Sequence, residues 1–282
     1  MTADRRPPAE RVRDRVAATV GPDVAAALPR GHQRLGRVLI VRLPESLRPA
    51  YAAIGEAWRA ELGVATVLRH AGTTEGDWRT PRTEPIAAGP TETEVREHGI
   101  VYGLDAARVM FAAGNRTERR RAGAVTRPGE TVVDLFAGIG YFTLPAAVRG
   151  RASRVWAVEA NPVAYRYLVA NAARNGVADR VIPILGDNRE VGIPAAAADR
   201  IFLGFLPSAV GWVPRAVALA RPGATIHVHL VVPSRDGVPA GEATVAAAVA
   251  AAGSEPARIE GRAVKPYGPG RTHVVVDATL PG

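Results

Sequence analysis

The chain of 282 residues contains no cysteine, which excludes disulfides, thiolate metal sites and a cysteine nucleophile. Lysine is almost absent too. Lys265 stands alone among 36 basic residues, the rest being arginine. With abundant alanine, this bias reads as the mark of a GC-rich genome rather than of selection for phosphate contacts. No apolar run reaches the length of a membrane span, and the opening MTADRRPPAERVRDR lacks the apolar core of a signal peptide. The location expected on these grounds is the cytoplasm.

An apolar fraction of 47% and a mean hydropathy of +0.01 describe a globular chain with a substantial core. The net charge of +9 is spread evenly, +5 over residues 1–124 and +4 over 125–282. No part is therefore a dedicated basic module for a polyanion. The densest cluster is NRTERRR, with Arg116, Arg119, Arg120 and Arg121.

Residues 1–28 alternate arginine, proline and alanine and read as a flexible tail, with room for a short helix. Residues 29–98 form a small α+β domain. Its parts are strand RVLIVRLP, amphipathic helix ESLRPAYAAIGEAWRAEL, strand VATVLRH, a loop through AGTTEGDWRTPRTEP, and strand ETEVREHG. That last strand pairs with IVYGLD through a turn at His98-Gly99. Residues 99–282 then alternate strands and helices, the signature of a doubly wound, Rossmann-like parallel α/β sheet. The closing strands ARIEGRAVKPYG and THVVVDATL have no helix between them and predict an antiparallel hairpin at a sheet edge.

The segment ETVVDLFAGIGYFTL reads as a strand, a glycine turn and a helix. Gly138 and Gly140 let the backbone approach a ligand where a Cβ would clash. Thr143 stands where a dinucleotide fingerprint needs its third glycine, and no Walker lysine is present. Asp134, four residues before the first glycine, repels phosphate and suits an ammonium group. Glu159 closes the second strand, where an acid accepts both ribose hydroxyls, and Asp187 follows the third, where it accepts from an adenine amino group. Ammonium, ribose and adenine together specify S-adenosylmethionine.

At these residues the chain resembles a known family. DLFAGIGYFTLP, EANPVAYRYLVANAARNGV and GDNRE are similar to the class I S-adenosylmethionine enzymes that modify the purine beside the tRNA anticodon. That group comprises archaeal-type guanosine N1-methyltransferases and wybutosine-synthesis aminocarboxypropyltransferases. The likeness continues upstream through LPRGHQRLGRVLIVRLP, GVATVLRH, EHGIVYGLDAARVMF and GNRTERRR, and runs from about Pro29 to ATIHVHLVV. It implies a class I methyltransferase sheet with a smaller N-terminal domain. Asp134, Phe136, Gly138, Gly140, Glu159, Asn161, Asp187 and Asn188 are the cofactor-binding residues it implies. Asn115, Glu118 and Arg119 would fix the amino acid end of the cofactor.

The two branches differ at readable positions. Gly204, in FLGFLPS, stands where the methyltransferases carry the asparagine of an NLP-type motif. Gly114, in FAAGNRTER, replaces their functional arginine. Both departures imply transfer of the 3-amino-3-carboxypropyl group, leaving methylthioadenosine, with Gly114, Gly204, Phe205 and Pro207 lining the acceptor pocket. Ala112 departs from the family, which usually has serine there.

No side chain stands out as a general base, and no metal is expected. His227 and His229 lie on one face of a strand, either as a metal pair or, more simply, as satisfied core histidines. Trp156 and Trp212 read as core or pocket wall, and Phe136, Tyr141 and Phe205 as candidate wall residues. For the acceptor, the even charge favours a small phenolic oxygen, as in nocardicin-type β-lactam antibiotic biosynthesis. A tRNA wybutosine-precursor base is the alternative, and tRNA guanosine N1-methylation is a further one. A non-catalytic S-adenosylmethionine-binding regulator is the reading from another class.

Overall fold

In the computed structural model, residues 6–29, 31–72, 78 and 80–282 are described. The chain divides into two units. One holds residues up to Arg96 together with Tyr102–Ala113, and the other holds Glu97–Val101 with Gly114–Gly282.

The N-terminal unit begins with helices α1 (Pro8–Thr19) and α2 (Pro22–Ala26). Its sheet follows the order β1 (His32–Leu35), β2 (Val38–Val41), β3 (Thr66–His70) and β4 (Thr83–Ala87). Helix α3 (Tyr51–Leu62) connects the parallel pair β2 and β3. The segment expected to be a loose tail is thus largely helical. Val12 and Val16 are fully buried with Ile54 and Trp58, and burying a valine contributes roughly 1.5–3 kcal/mol. Arg11 and Arg15 both reach Glu61 on α3, at 3.0 and 2.8 Å. The arginine-rich composition hid a helix whose cations have a partner.

Strands β5 (Glu92–Glu97) and β6 (Ile100–Asp105) form the hairpin expected from the sequence. His98 and Gly99 both have positive φ, 52° and 79°, as a tight hairpin turn requires. The unit boundary falls inside this hairpin rather than at residue 98, and the stretch 102–113 groups with the N-terminal unit. Of the expected loop after β3, residues 73–77 and 79 lie outside the described residues. A cavity of about 540 Å³ in this unit is lined by His32, Arg42, His70, Met110 and Phe111, among others.

The second unit opens with α4 (Arg116–Val125) and continues through β7 (Thr131–Asp134), α5 (Thr143–Val148), β8 (Arg154–Glu159), α6 (Pro162–Arg174) and β9 (Val181–Leu185). After these come β10 (Ala198–Leu203), α7 (Val213–Leu219), β11 (Ala220–Pro233), α8 (Gly237–Ala251), β12 (Arg258–Pro266) and β13 (Arg271–Thr279). The sheet order is β12-β13-β11-β10-β7-β8-β9, with β13 antiparallel to both neighbours and the other pairs parallel. Val133, Ile201, Ile226 and Val228 pack with Ala216, Leu219, Val245 and Val249 of α7 and α8 in one buried cluster. Strand order reverses between β7 and β10. Beyond the carboxyl ends of those two strands lies the crevice in which an open α/β sheet binds its ligand.

Candidate active site

The turn after β7 is built for close backbone approach. Gly138 and Gly140 have φ of +57° and +105°, conformations that strain a residue with a Cβ. Space forbids one as well. A Cβ at 138 would lie 2.4 Å from the Tyr141 ring, and one at 140 would lie 2.7 Å from Leu144.

Asp134 holds this turn from inside. It is fully buried and accepts hydrogen bonds from the Phe136 N–H at 3.2 Å, the Thr143 N–H at 3.1 Å and the Thr143 hydroxyl at 2.8 Å. Burial pushes its carboxyl up to about 6, against the pull of these donors. Both oxygens thus serve the turn that the cofactor is expected to approach. Thr143, noted in the sequence only as a missing glycine, is the other half of this clasp.

Glu159 reaches from the end of β8 to the same turn. Oε2 accepts the Gly138 N–H at 2.7 Å, and Oε1 accepts the Asn161 N–H at 2.8 Å. Burial raises its carboxyl above the usual range despite those donors. Asn161, an expected cofactor residue, caps α6. Its Oδ1 accepts from Val163 at 2.8 Å and Ala164 at 3.5 Å. Asp187 is exposed after β9, where it accepts the Arg189 N–H at 2.9 Å. Asn188 ties the site together. Its amide donates to the Leu135 carbonyl at 2.8 Å and accepts from the Trp212 indole at 2.6 Å.

An aromatic group assembles at the ends of β7 and β10. Phe136 stacks on Phe205 with centroids 5.2 Å apart and meets Trp212 edge-on at 5.0 Å. The Arg189 guanidinium lies 4.6 Å over the Trp212 ring. Trp212, read from the sequence as core or pocket wall, showed no sign there of its bond to Asn188. Pro207, an expected acceptor-pocket residue, lies in the segment stitched to β11, its carbonyl accepting the Val231 N–H at 2.8 Å. Trp156 packs against the buried cluster under α7 and α8, as expected for a core residue.

Gly204 has a steric reason. A Cβ there would sit 2.6 Å from the ring of Phe142, the residue just before α5. Gly114 has another, since its Cβ would meet the Lys265 ammonium at 2.9 Å.

The start of α4 carries the two charges singled out in the sequence, each with a partner. Glu118 is buried and accepts from Arg262 at 2.7 and 3.3 Å. Arg119 is equally buried and makes a two-pronged bond to Glu97 at 2.7 and 3.0 Å. Each of these two expected cofactor residues thus holds an internal ion pair. Asn115 stays different, for its Oδ1 is buried and makes no hydrogen bond.

Behind this turn runs a buried polar chain that the sequence did not reveal. Asp277 on β13 pairs with Arg121, with Arg262 at 3.3 Å and with His227 Nδ1 at 2.6 Å. Arg200 donates to His227 Nε2 at 2.8 Å and clasps Glu130 at 2.8 and 2.9 Å. Since arginine only donates, the His227 proton sits on Nδ1 and points to Asp277. His229 Nδ1 faces His273 Nε2 at 3.0 Å. The two strand histidines thus take separate partners rather than forming a pair. Burial holds His227 and His229 below the usual range and lowers His273 to about 4, so all three rings are neutral at pH 7. Among the described residues, no group of three His, Cys, Asp or Glu could hold a metal ion, and no helix is long and apolar enough to cross a membrane.

A seven-stranded sheet with one reversed strand, a glycine turn after β7 and acids at three successive strand ends define a class I S-adenosylmethionine-dependent transferase. The TRM5/TYW2 methyltransferase domain matches residues 93–244, and the TYW2 N-terminal domain matches residues 12–92. A tRNA(Phe) (4-demethylwyosine(37)-C(7)) aminocarboxypropyltransferase of Pyrococcus horikoshii is 36% identical over 268 residues, covering 95% of each chain. The crystal structure of P. horikoshii TYW2 with MeSAdo superposes with a TM-score of 0.85 at 34% identity, covering 96% of this chain and 98% of that one. M. jannaschii TYW2 with AdoMet gives a TM-score of 0.72 at 30% identity, covering 89% and 99%.

The chain belongs to the TRM5/TYW2 family. It is an S-adenosylmethionine-dependent aminocarboxypropyltransferase, and S-adenosylmethionine is its co-substrate.

Proposed function

We propose that the acceptor is a tRNA base, the wybutosine precursor beside the anticodon, alkylated at carbon. The observation that carries this reading is the extent of the match. The likeness to a tRNA(Phe)-modifying relative spans 95% of both chains, and the N-terminal unit matches the TYW2 N-terminal domain from residue 12. A change of acceptor from a macromolecule to a small phenol would release the N-terminal unit from that constraint. The phenolic acceptor favoured by the even charge, and with it antibiotic biosynthesis, finds no support in the comparisons.

In this reading the base carbon attacks the Cγ methylene of the aminocarboxypropyl chain. A C–C bond forms, the C–S bond breaks with its electron pair passing to sulfur, and methylthioadenosine leaves while the ring proton goes to solvent. The protein's contribution is orientation, because the sulfonium carries three electrophilic carbons and only the one held in line reacts. Gly138 and Gly140 admit the nucleoside, Glu159 and Asp187 face its ribose and adenine, and Gly204 with Phe142 shapes the wall where the base is presented.

The test is nucleoside mass spectrometry after incubation with S-adenosylmethionine and either precursor-bearing tRNA(Phe) or a phenolic β-lactam. A tRNA nucleoside heavier by one aminocarboxypropyl group, matched by methylthioadenosine, is expected. Product from the β-lactam alone would overturn the reading. Binding to tRNA should also weaken steeply with salt, as several phosphate contacts require.

A further inference from the structure

Glu118 and Arg119 each hold an internal ion pair, so further partners can serve the amino acid end of the co-substrate. Its ammonium requires a hydrogen-bond acceptor, and its carboxylate requires a cation. Asn115 supplies a buried Oδ1 that makes no hydrogen bond, and such an atom is costly unless a ligand satisfies it. One residue before it, the bare Gly114 leaves space that the Lys265 ammonium approaches, 2.9 Å from where a Cβ would stand.

Both groups lie at the ligand end of the sheet. Lys265 pairs with His273, which pairs with Val231, three rungs beyond the Val228–Leu203 pair that closes β10. From His273 the contacts lead through His229, at 3.0 Å, to Phe142, whose ring centroid is 5.1 Å from that of His229 and which packs on Gly204. Helix α4 packs on α5, which follows the glycine turn: a Cβ at Gly123 would lie 2.9 Å from the Pro145 carbonyl oxygen.

We propose that Lys265 binds the carboxylate of the aminocarboxypropyl group and that Asn115 Oδ1 accepts from its ammonium. The single lysine of the chain then has a specific task. Gly114 is bare so that the lysine can lie across the start of α4, and the electrophilic methylene is held by its far end while the adenosine is held by the glycine turn. This deepens the assignment of S-adenosylmethionine as co-substrate and does not depend on the acceptor.

Calorimetry on the full chain tests it with three ligands: S-adenosylmethionine, its decarboxylated form and methylthioadenosine. The native protein should bind S-adenosylmethionine about tenfold more tightly than the decarboxylated form, the usual scale of one charge-assisted hydrogen bond. In Lys265→Met that preference should shrink to about twofold or less, with methylthioadenosine affinity unchanged, because the lost coupling belongs to the lysine–carboxylate pair. Asn115→Leu should weaken both ammonium-bearing ligands and spare methylthioadenosine. An undiminished preference in Lys265→Met, or a parallel loss of methylthioadenosine, would overturn the proposal. Because tRNA is absent from the titration, failure here is distinct from failure of the acceptor assignment.

Discussion

A Cβ on residue 204 would stand 2.6 Å from the Phe142 ring. The base-facing wall and the residue that leads the glycine turn into α5 therefore touch, and glycine is the residue that lets them. Gly204→Asn restores the side chain that the methyltransferase branch carries, and it should overpack this contact. Such overpacking costs about 1–3 kcal/mol, visible as a lower melting temperature, and aminocarboxypropyl transfer should fall. S-Adenosylhomocysteine should not appear in its place, because Asn115 and Lys265 still hold the other end of the chain. A clean switch to methyl transfer would show that residue 204 alone selects the transferred group.

Asp134→Ala removes the acceptor of three hydrogen bonds inside the turn. Unsatisfied buried donors cost about 1–3 kcal/mol each, so the turn should lose its shape and S-adenosylmethionine binding should be abolished. Methylthioadenosine should be lost together with it, because Asp134 shapes the whole turn and not one subsite. Retained binding of either ligand in calorimetry would contradict the bracing role.

Glu118→Gln separates structure from ligand contact. Breaking one side of a buried ion pair typically costs about 3–5 kcal/mol, so thermal stability should drop markedly. Below the unfolding range, affinity for S-adenosylmethionine should stay within about twofold of the native value. A selective loss of S-adenosylmethionine over methylthioadenosine would return Glu118 to the site.

Stability should also depend on pH in a defined direction. His227, His229 and His273 have folded-state pKa values below 6.5, so the folded protein binds fewer protons than the unfolded chain does. Their stabilisation is present above about 6.5 and is lost as pH falls towards 4, at about 1.4 kcal/mol per pH unit for each fully shifted group. Asp134, raised to about 6, works the other way between its unfolded value near 4 and 6. Glu159, also raised by burial, acts with Asp134. Asp277, held well below the usual carboxylate range, loses its stabilisation together with the histidines. The histidines and Asp277 outweigh the two raised carboxyls, and melting temperature should fall on acidification. His273→Gln should flatten the curve between pH 6 and 4; an unchanged slope would mean that His273 titrates normally.

The alternating strands and helices were legible because each parallel strand is a short buried run followed by an amphipathic helix. The closing hairpin was legible because no helix separates β12 from β13. The glycine turn announced itself through Gly138 and Gly140, whose requirement is local. The capping role of Asn161 was legible for a local reason too, since it stands ahead of Pro162 at a helix start. The packing of the tail's helix was not legible because Arg11 and Arg15 find their counter-charge in Glu61, about fifty positions away. Glu118–Arg262 and His227–Asp277 escaped notice on the same ground. Their partners are set by the register of β11, β12 and β13, which no spacing within the sequence records.

In the proposed reaction the larger carbon chain of S-adenosylmethionine, not its methyl group, passes to tRNA. Co-substrate labelled separately in the methyl group and in the carboxyl carbon tests it in one reaction with precursor-bearing tRNA(Phe). The account predicts the carboxyl label in tRNA and the methyl label in methylthioadenosine. Methyl label in tRNA, or carboxyl label that reaches only a small phenolic acceptor, would contradict it.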